Sequence, residues 1–151
     1  MKPTDLPLVL RYLRKSIKFW RVPVVTKVSR QGNPFMVLVS CLLSLRTRDE
    51  ITDAASKRLF VLAKSPKKLL RLNPKQVQKA IYPVAFYRNK TLRLYEISGA
   101  LINDNGGKVP DTLDKLLRLK GIGRKTANLT LVLGHNKPGI CVDIQIGRAH
   151  V

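Results

Sequence analysis

A chain of 151 residues, 44% apolar and 25% charged, can bury one ordinary core, so a mainly disordered polypeptide is excluded. Its 29 Lys and Arg face 9 Asp and Glu for a formal +20; such a field draws a polyanion, nucleic acid first, the alternative being a ribosome-associated or membrane-surface protein that is basic all over. Two cysteines, Cys41 and Cys141, make no disulfide framework, no apolar run nears the roughly 20 residues of a membrane span, and residues 1–15 lack a signal-peptide layout, so a soluble, unprocessed, intracellular protein is expected.

Proline, glycine and capping residues cut the chain into short helices, and no run alternates cleanly enough for a sheet. The expected fold is all-α, a compact bundle of short helices without a fixed-period repeat. A first helix is expected over 6–20, with Leu10, Leu13 and Ile17 on one face, followed by a loop through Pro23, Gly32 and Pro34. The run 35–45 is apolar almost all round and predicts a buried helix, in which Cys41 is a small buried thiol. Asp49 then suits an N-cap ahead of the apolar positions Ile51, Ala54, Ala55, Leu59 and Leu62. Ser65 and Asn73 each precede a proline at a first helical position. A longer helix over 90–105 stops at Gly106 and Gly107, Asp111 caps the next, and a last helix runs from about Arg124 to Gly134.

Residues 119–131 read LKGIGRKTANLTL, the layout of a helix-hairpin-helix. Glycines let the backbone approach a phosphate, and the orphan amides of the following helix face the anion, so binding there ignores base sequence. A tight turn that merely needs glycine explains the same residues equally well, and the +20 charge favours DNA. Lys125 lies in the first turn of the second helix. Most lysines are solvated charges or phosphate contacts, but Arg124 and the helix N-terminus both favour the neutral amine that a nucleophile needs. Such chemistry calls for a carboxylate, and Asp143, between Val142 and Ile144, is a candidate as well as a possible helix cap.

Taken together, LKGIGRKTANLTLVLGHNKPGICVD, and upstream LVSCLLSLRTRDEITDAASKRLF, resemble the endonuclease III branch of the helix-hairpin-helix Gly-Pro/Asp DNA glycosylases over about residues 6–143. The resemblance implies a two-lobed fold: 1–28 as the N-terminal helix of a split, cluster-side domain; 29–134 as a helical barrel domain with its hairpin at about 111–134; and 135–145 as the catalytic aspartate loop. It implies that Lys125 attacks the sugar C1′ of a flipped, damaged pyrimidine, and that Asp143 supports the charge on the sugar. The enzyme would be a combined glycosylase and abasic-site lyase in base excision repair. Gly121, Ile122 and Gly123 match the phosphate-cradling hairpin, with Arg124 beside them. Arg46 falls where many members place a glutamine that fills the hole left by the flipped base, and Phe86 falls at the wedge position. For Phe86, a core aromatic is an equal alternative. Asp49 matches a polar residue near the lesion pocket. The implied partner is double-stranded DNA with damaged bases or abasic sites, bound by a monomer.

Family members continue past the aspartate with more helices, usually with four cysteines on a 4Fe-4S cluster; Cys41 and Cys141 do not match those ligands, so no cofactor or metal is expected in this chain. A truncated piece is therefore expected, with its N-terminal helix exposing apolar surface. Residues 146–151, Ile-Gly-Arg-Ala-His-Val, equal a common sequencing-adapter string translated in one frame. Read-through is expected there, with Gln145 a hybrid codon and His150 without a role. Two other functions stay open: a non-catalytic helix-hairpin-helix binding module, and a glycosylase for another lesion such as oxidised guanine.

Overall fold

A computed structural model describes residues 5–19 and 22–142, and among them all regular structure is helical. The helices are α1 (Leu6–Ser16) with a 3-10 turn (Ile17–Phe19), α2 (Val24–Ser29), α3 (Pro34–Ser44), α4 (Asp49–Leu62), α5 (Pro66–Leu70), α6 (Pro74–Ile81), α7 (Tyr87–Asn105), α8 (Leu113–Leu117) and α9 (Arg124–Leu129), the last running into a π-helical turn (Thr130–Gly134). None of them is long and apolar enough to cross a membrane.

The centre of the bundle is α3. Every residue from Phe35 to Leu43 is buried, and α2, α4, α7, α9 and the π-helical turn pack around it. A helix apolar on all sides has no solvent face to offer, so the chain must wrap it. Fully buried side chains such as Leu38 and Leu43 each stabilise the fold by about 1.5–3 kcal/mol. Asn33 starts this helix by accepting from the amides of Phe35 and Met36.

The caps at Ser65 and Asn73 form as expected. Ser65 accepts from the Lys68 amide, and Asn73 and Gln76 make a reciprocal capping box. The stop at Gly106 is also present, in left-handed backbone with φ 57°.

Several local expectations are corrected. The stretch expected to be loop contains α2, whose Val24, Val25 and Val28 are buried; burial outweighs the weak helix preference of valine. Asp49 does not cap its own helix. It is the first residue of α4, and its Oδ2 accepts from the Val24 amide at 3.1 Å, so it caps α2 instead. The buried stripe of α4 is Thr52, Ala55, Ser56, Leu59 and Phe60, while Ala54 and Leu62 are exposed. Two hydroxyls are tolerated inside because the Thr52 hydroxyl donates to the Arg48 carbonyl and Ser56 meets Ser40 at 3.4 Å. Asp111 caps nothing: Thr112 stands at the start of α8, and the Asp111 carboxylate pairs with Lys137. The first helix ends at Ser16, four residues before Trp20, which lies outside the described residues. No residue of α1 is buried, and Leu6, Leu8, Leu10, Leu13 and Ile17 are all exposed.

Candidate functional site

The hairpin is built by the turn between α8 and α9. Leu119 and Ile122 are buried, anchoring the turn from below, while Gly121 and Gly123 are exposed. Gly121 has φ 83°, which favours glycine, and a Cβ there would meet Arg93 Nε at 2.6 Å and push that side chain aside. Arg93 rises from α7, held by Glu96 at 2.6 Å, and Lys120 shares that carboxylate at 3.3 Å. The Ile122 amide is not available to a phosphate, because it donates to the Leu119 carbonyl at 3.0 Å. The amides of Gly121 and Gly123 meet no acceptor among the described residues. Of the three residues matched to a phosphate-cradling hairpin, Gly121 and Gly123 thus keep an open amide and Ile122 does not.

Lys125 is half-buried in the first turn of α9. The segment after the π-helical turn folds back over this helix. Gly139 lies against Val132 and Asn128, and the Cys141 thiol donates to the Lys125 carbonyl at 3.7 Å. The base of that segment is tied down twice: the Lys137 amide donates to the Leu131 carbonyl, and Lys137 Nζ reaches the Asp111 carbonyl at 2.8 Å and its Oδ2 at 2.7 Å. Residue 141 is thereby brought onto the backbone of Lys125. Asp143, Gln145, His150 and the whole stretch 146–151 lie outside the described residues.

Cys41, from the centre of α3, is the third group near Lys125. Burial pushes its thiol up to about 12, the Cys141 sulfur adding to the rise and Lys125 opposing it. These neighbours were not legible in the sequence, since 84 residues separate Cys41 from Lys125 (125 minus 41).

A second group of predicted residues gathers at the turn following α3. Arg46 and Phe86 are both exposed, and the Arg46 guanidinium carbon lies 5.9 Å from the Phe86 ring centroid. Phe86 is 60% exposed, which removes the core-aromatic alternative. Both residues have left-handed backbone, with φ 54° and 56°. Such a conformation costs about 1–3 kcal/mol at each non-glycine residue and persists only where surrounding contacts impose it. The imposing contacts come from Lys90 and Thr47, neither of which the sequence singled out. Lys90 Nζ donates to the carbonyls of Leu43 and Leu45, and Thr47 Oγ1 accepts from the Ala85 amide.

Asp49 is exposed, its carboxylate engaged with α2 beside a small cavity of about 140 Å³ shared with Lys27, Glu50 and Asp53. A larger cavity of about 700 Å³ lies near the start of α3 between Asn33, Lys64, Lys108, Asp111 and His135; it contains none of the predicted site residues. Among the described residues no cluster of three or more His, Cys, Asp or Glu could hold a metal ion. The two cysteines do not fit a cluster that needs four cysteine ligands, one being sealed in α3 and the other placed on Lys125.

A chain built around a buried helix, with a glycine hairpin presenting a lysine, has the features of a helix-hairpin-helix protein. The family model described as the HhH-GPD superfamily base excision DNA repair protein matches residues 39–150, and the chain belongs to that superfamily. Within it, the similarity falls on endonuclease III. The endonuclease III of Thermotoga maritima is 44% identical over 119 residues, covering 79% of this chain and 56% of the relative. That of Bacillus subtilis is 35% identical over 117 residues, covering 78% and 53%. The chain thus spans about half the length of the curated relatives it matches. A solved structure of a trapped endonuclease III–DNA covalent intermediate superposes with a TM-score of 0.82 at 25% identity, covering all of this chain and 68% of that one.

Proposed function

We propose that the protein is a bifunctional DNA glycosylase and abasic-site lyase that removes oxidised pyrimidines. The observation that carries this is the half-buried Lys125 on the hairpin helix, with the segment leading to Asp143 folded against it. A trapped covalent endonuclease III–DNA intermediate among the similar structures supports covalent chemistry on DNA.

In the proposed reaction the Lys125 amine attacks C1′ and the bond from C1′ to the base nitrogen breaks, the base leaving with a proton. The sugar ring opens, giving an imine between Lys125 and C1′. Loss of a C2′ proton then expels the 3′ phosphate, breaking the strand. Asp143 would stabilise positive charge on the sugar as the base departs. The exposed Gly121 and Gly123 amides and Arg124 would hold the backbone of double-stranded DNA, with Arg46 filling the space of the flipped base and Phe86 wedging the stack. Asp49 would border the lesion pocket through its place at the start of α4. We read the protein as a monomer acting in the cytoplasm or nucleoid.

Borohydride trapping on duplexes with an abasic site or thymine glycol tests this. A covalent adduct is expected with the intact sequence and none with Lys125→Ala. An adduct that persists in Lys125→Ala removes the nucleophile assignment, and DNA binding with no adduct in the intact sequence favours a purely binding module.

A further inference from the structure

Two turns that are far apart in sequence, 45–48 and 82–86, are joined at one ammonium group. Lys90 Nζ donates to the Leu43 carbonyl at 2.9 Å, the Leu45 carbonyl at 2.6 Å and Thr47 Oγ1 at 3.3 Å. Thr47 Oγ1 accepts in turn from the Ala85 amide at 3.2 Å, and the Lys90 amide donates to the Phe86 carbonyl at 2.9 Å. Arg46 lies between Leu45 and Thr47, two of the three residues whose oxygens Lys90 holds, and Phe86 lies between Ala85 and the start of α7. Each is the left-handed residue of its turn.

We propose that Lys90 is a positioning residue that locks the two turns into one unit, so that Arg46 and Phe86 enter the duplex together and set lesion and opposite-base preference. This rests on the reading of Arg46 and Phe86 as the inserted residues. An ammonium suits the task because its three N–H groups diverge from one point toward three oxygens, which a planar guanidinium cannot copy. The Leu43 carbonyl is in the last turn of α3 and the Leu45 carbonyl, which also accepts from the Thr47 hydroxyl, lies just past it, so Lys90 closes that helix while fixing the turn beyond it. The Arg46–Phe86 contact cannot supply the same order, being exposed and at the far limit of a cation–π approach. Burial holds the Lys90 amine down at about 8, a sign that it is taken out of water to sit between the turns.

A plain helix-closing role would alter stability without altering what DNA is preferred. The test is the ratio of affinities for a tetrahydrofuran abasic-site duplex and the undamaged duplex, with 2-aminopurine fluorescence beside the site reporting insertion. It is measured for the intact protein, Lys90→Met, Lys90→Arg, Thr47→Val, the Arg46→Ala/Phe86→Ala double variant, and Lys90→Met in that double variant. We expect Lys90→Met to lower the ratio at least tenfold, Lys90→Arg to recover part of it, and Lys90→Met to add no loss in the double variant. An unchanged ratio in Lys90→Met, or a loss that multiplies with that of the double variant, overturns the proposal. Should Lys90→Met not fold, Thr47→Val decides: a loss of at least threefold supports the lock and an unchanged ratio overturns it. If the double variant alone keeps the full ratio, the assignment of Arg46 and Phe86 has failed, and the proposal falls with it.

Discussion

The guanidinium of Arg46 stands 5.9 Å from the ring of Phe86, and each residue holds left-handed backbone with its side chain in solvent. Two exposed, strained residues facing each other serve no packing purpose. Strain retained at exposed positions is typical of sites kept for contact with something else.

Substituting either residue by glycine separates the cost from the use. Glycine adopts positive φ freely, so Arg46→Gly and Phe86→Gly should each stabilise the fold by about 1 kcal/mol, seen as a Tm rise of about 2–4 °C, while lowering affinity for an abasic-site duplex. A fall in Tm would mean that the side chains support the fold.

The two hairpin glycines should respond differently. At Gly121 an alanine meets both a positive φ and the Arg93 side chain, so Gly121→Ala should cost about 1–3 kcal/mol in denaturant unfolding. At Gly123 the φ is −94° and nothing lies within 4 Å of a built Cβ, so Gly123→Ala should leave stability within about 0.5 kcal/mol. Any loss of DNA affinity in Gly123→Ala then reports close approach of the strand. Binding by the intact protein should also weaken steeply with salt, as counterion release requires.

Lys137 ties the segment before Asp143 to Asp111. Its hydrogen bond and charge hold the Asp111 carboxyl below its ordinary value of 3.8. A lowered folded value means that the unfolded chain binds protons first as pH falls. The stabilisation is therefore complete above the ordinary carboxylate range and is lost as pH falls through 3.8 and below. Asp111→Asn should flatten that part of the stability profile measured by urea unfolding. Lys137→Met should reduce the yield of borohydride-trapped adduct while leaving binding to undamaged DNA nearly intact.

The cysteines differ in access. Cys41 is 1% exposed with its thiol pushed up to about 12, whereas Cys141 is half-buried. Under native conditions iodoacetamide should label Cys141 alone, and Cys41 only after denaturation, as read by peptide mass spectrometry. Abasic-site DNA should slow the labelling of Cys141, which sits on the Lys125 backbone.

Sequence alone determined the all-α class, the buried helix, expected over Phe35 to Leu45 and buried as far as Leu43, the caps at Ser65 and Asn73, and the glycine hairpin that presents Lys125. Each of these depends on residues within one or two helical turns of one another, so local periodicity and capping chemistry suffice to find them. Only the tertiary structure decided that Asp49 serves α2, that Asp111 serves Lys137, that α2 is a helix, and that Phe86 stands in solvent. It also decided that Lys90 joins two turns and that Cys41 lies near Lys125. A carboxylate or an ammonium satisfies whichever polar group the packing brings within about 3 Å, and a one-dimensional pattern does not contain that distance.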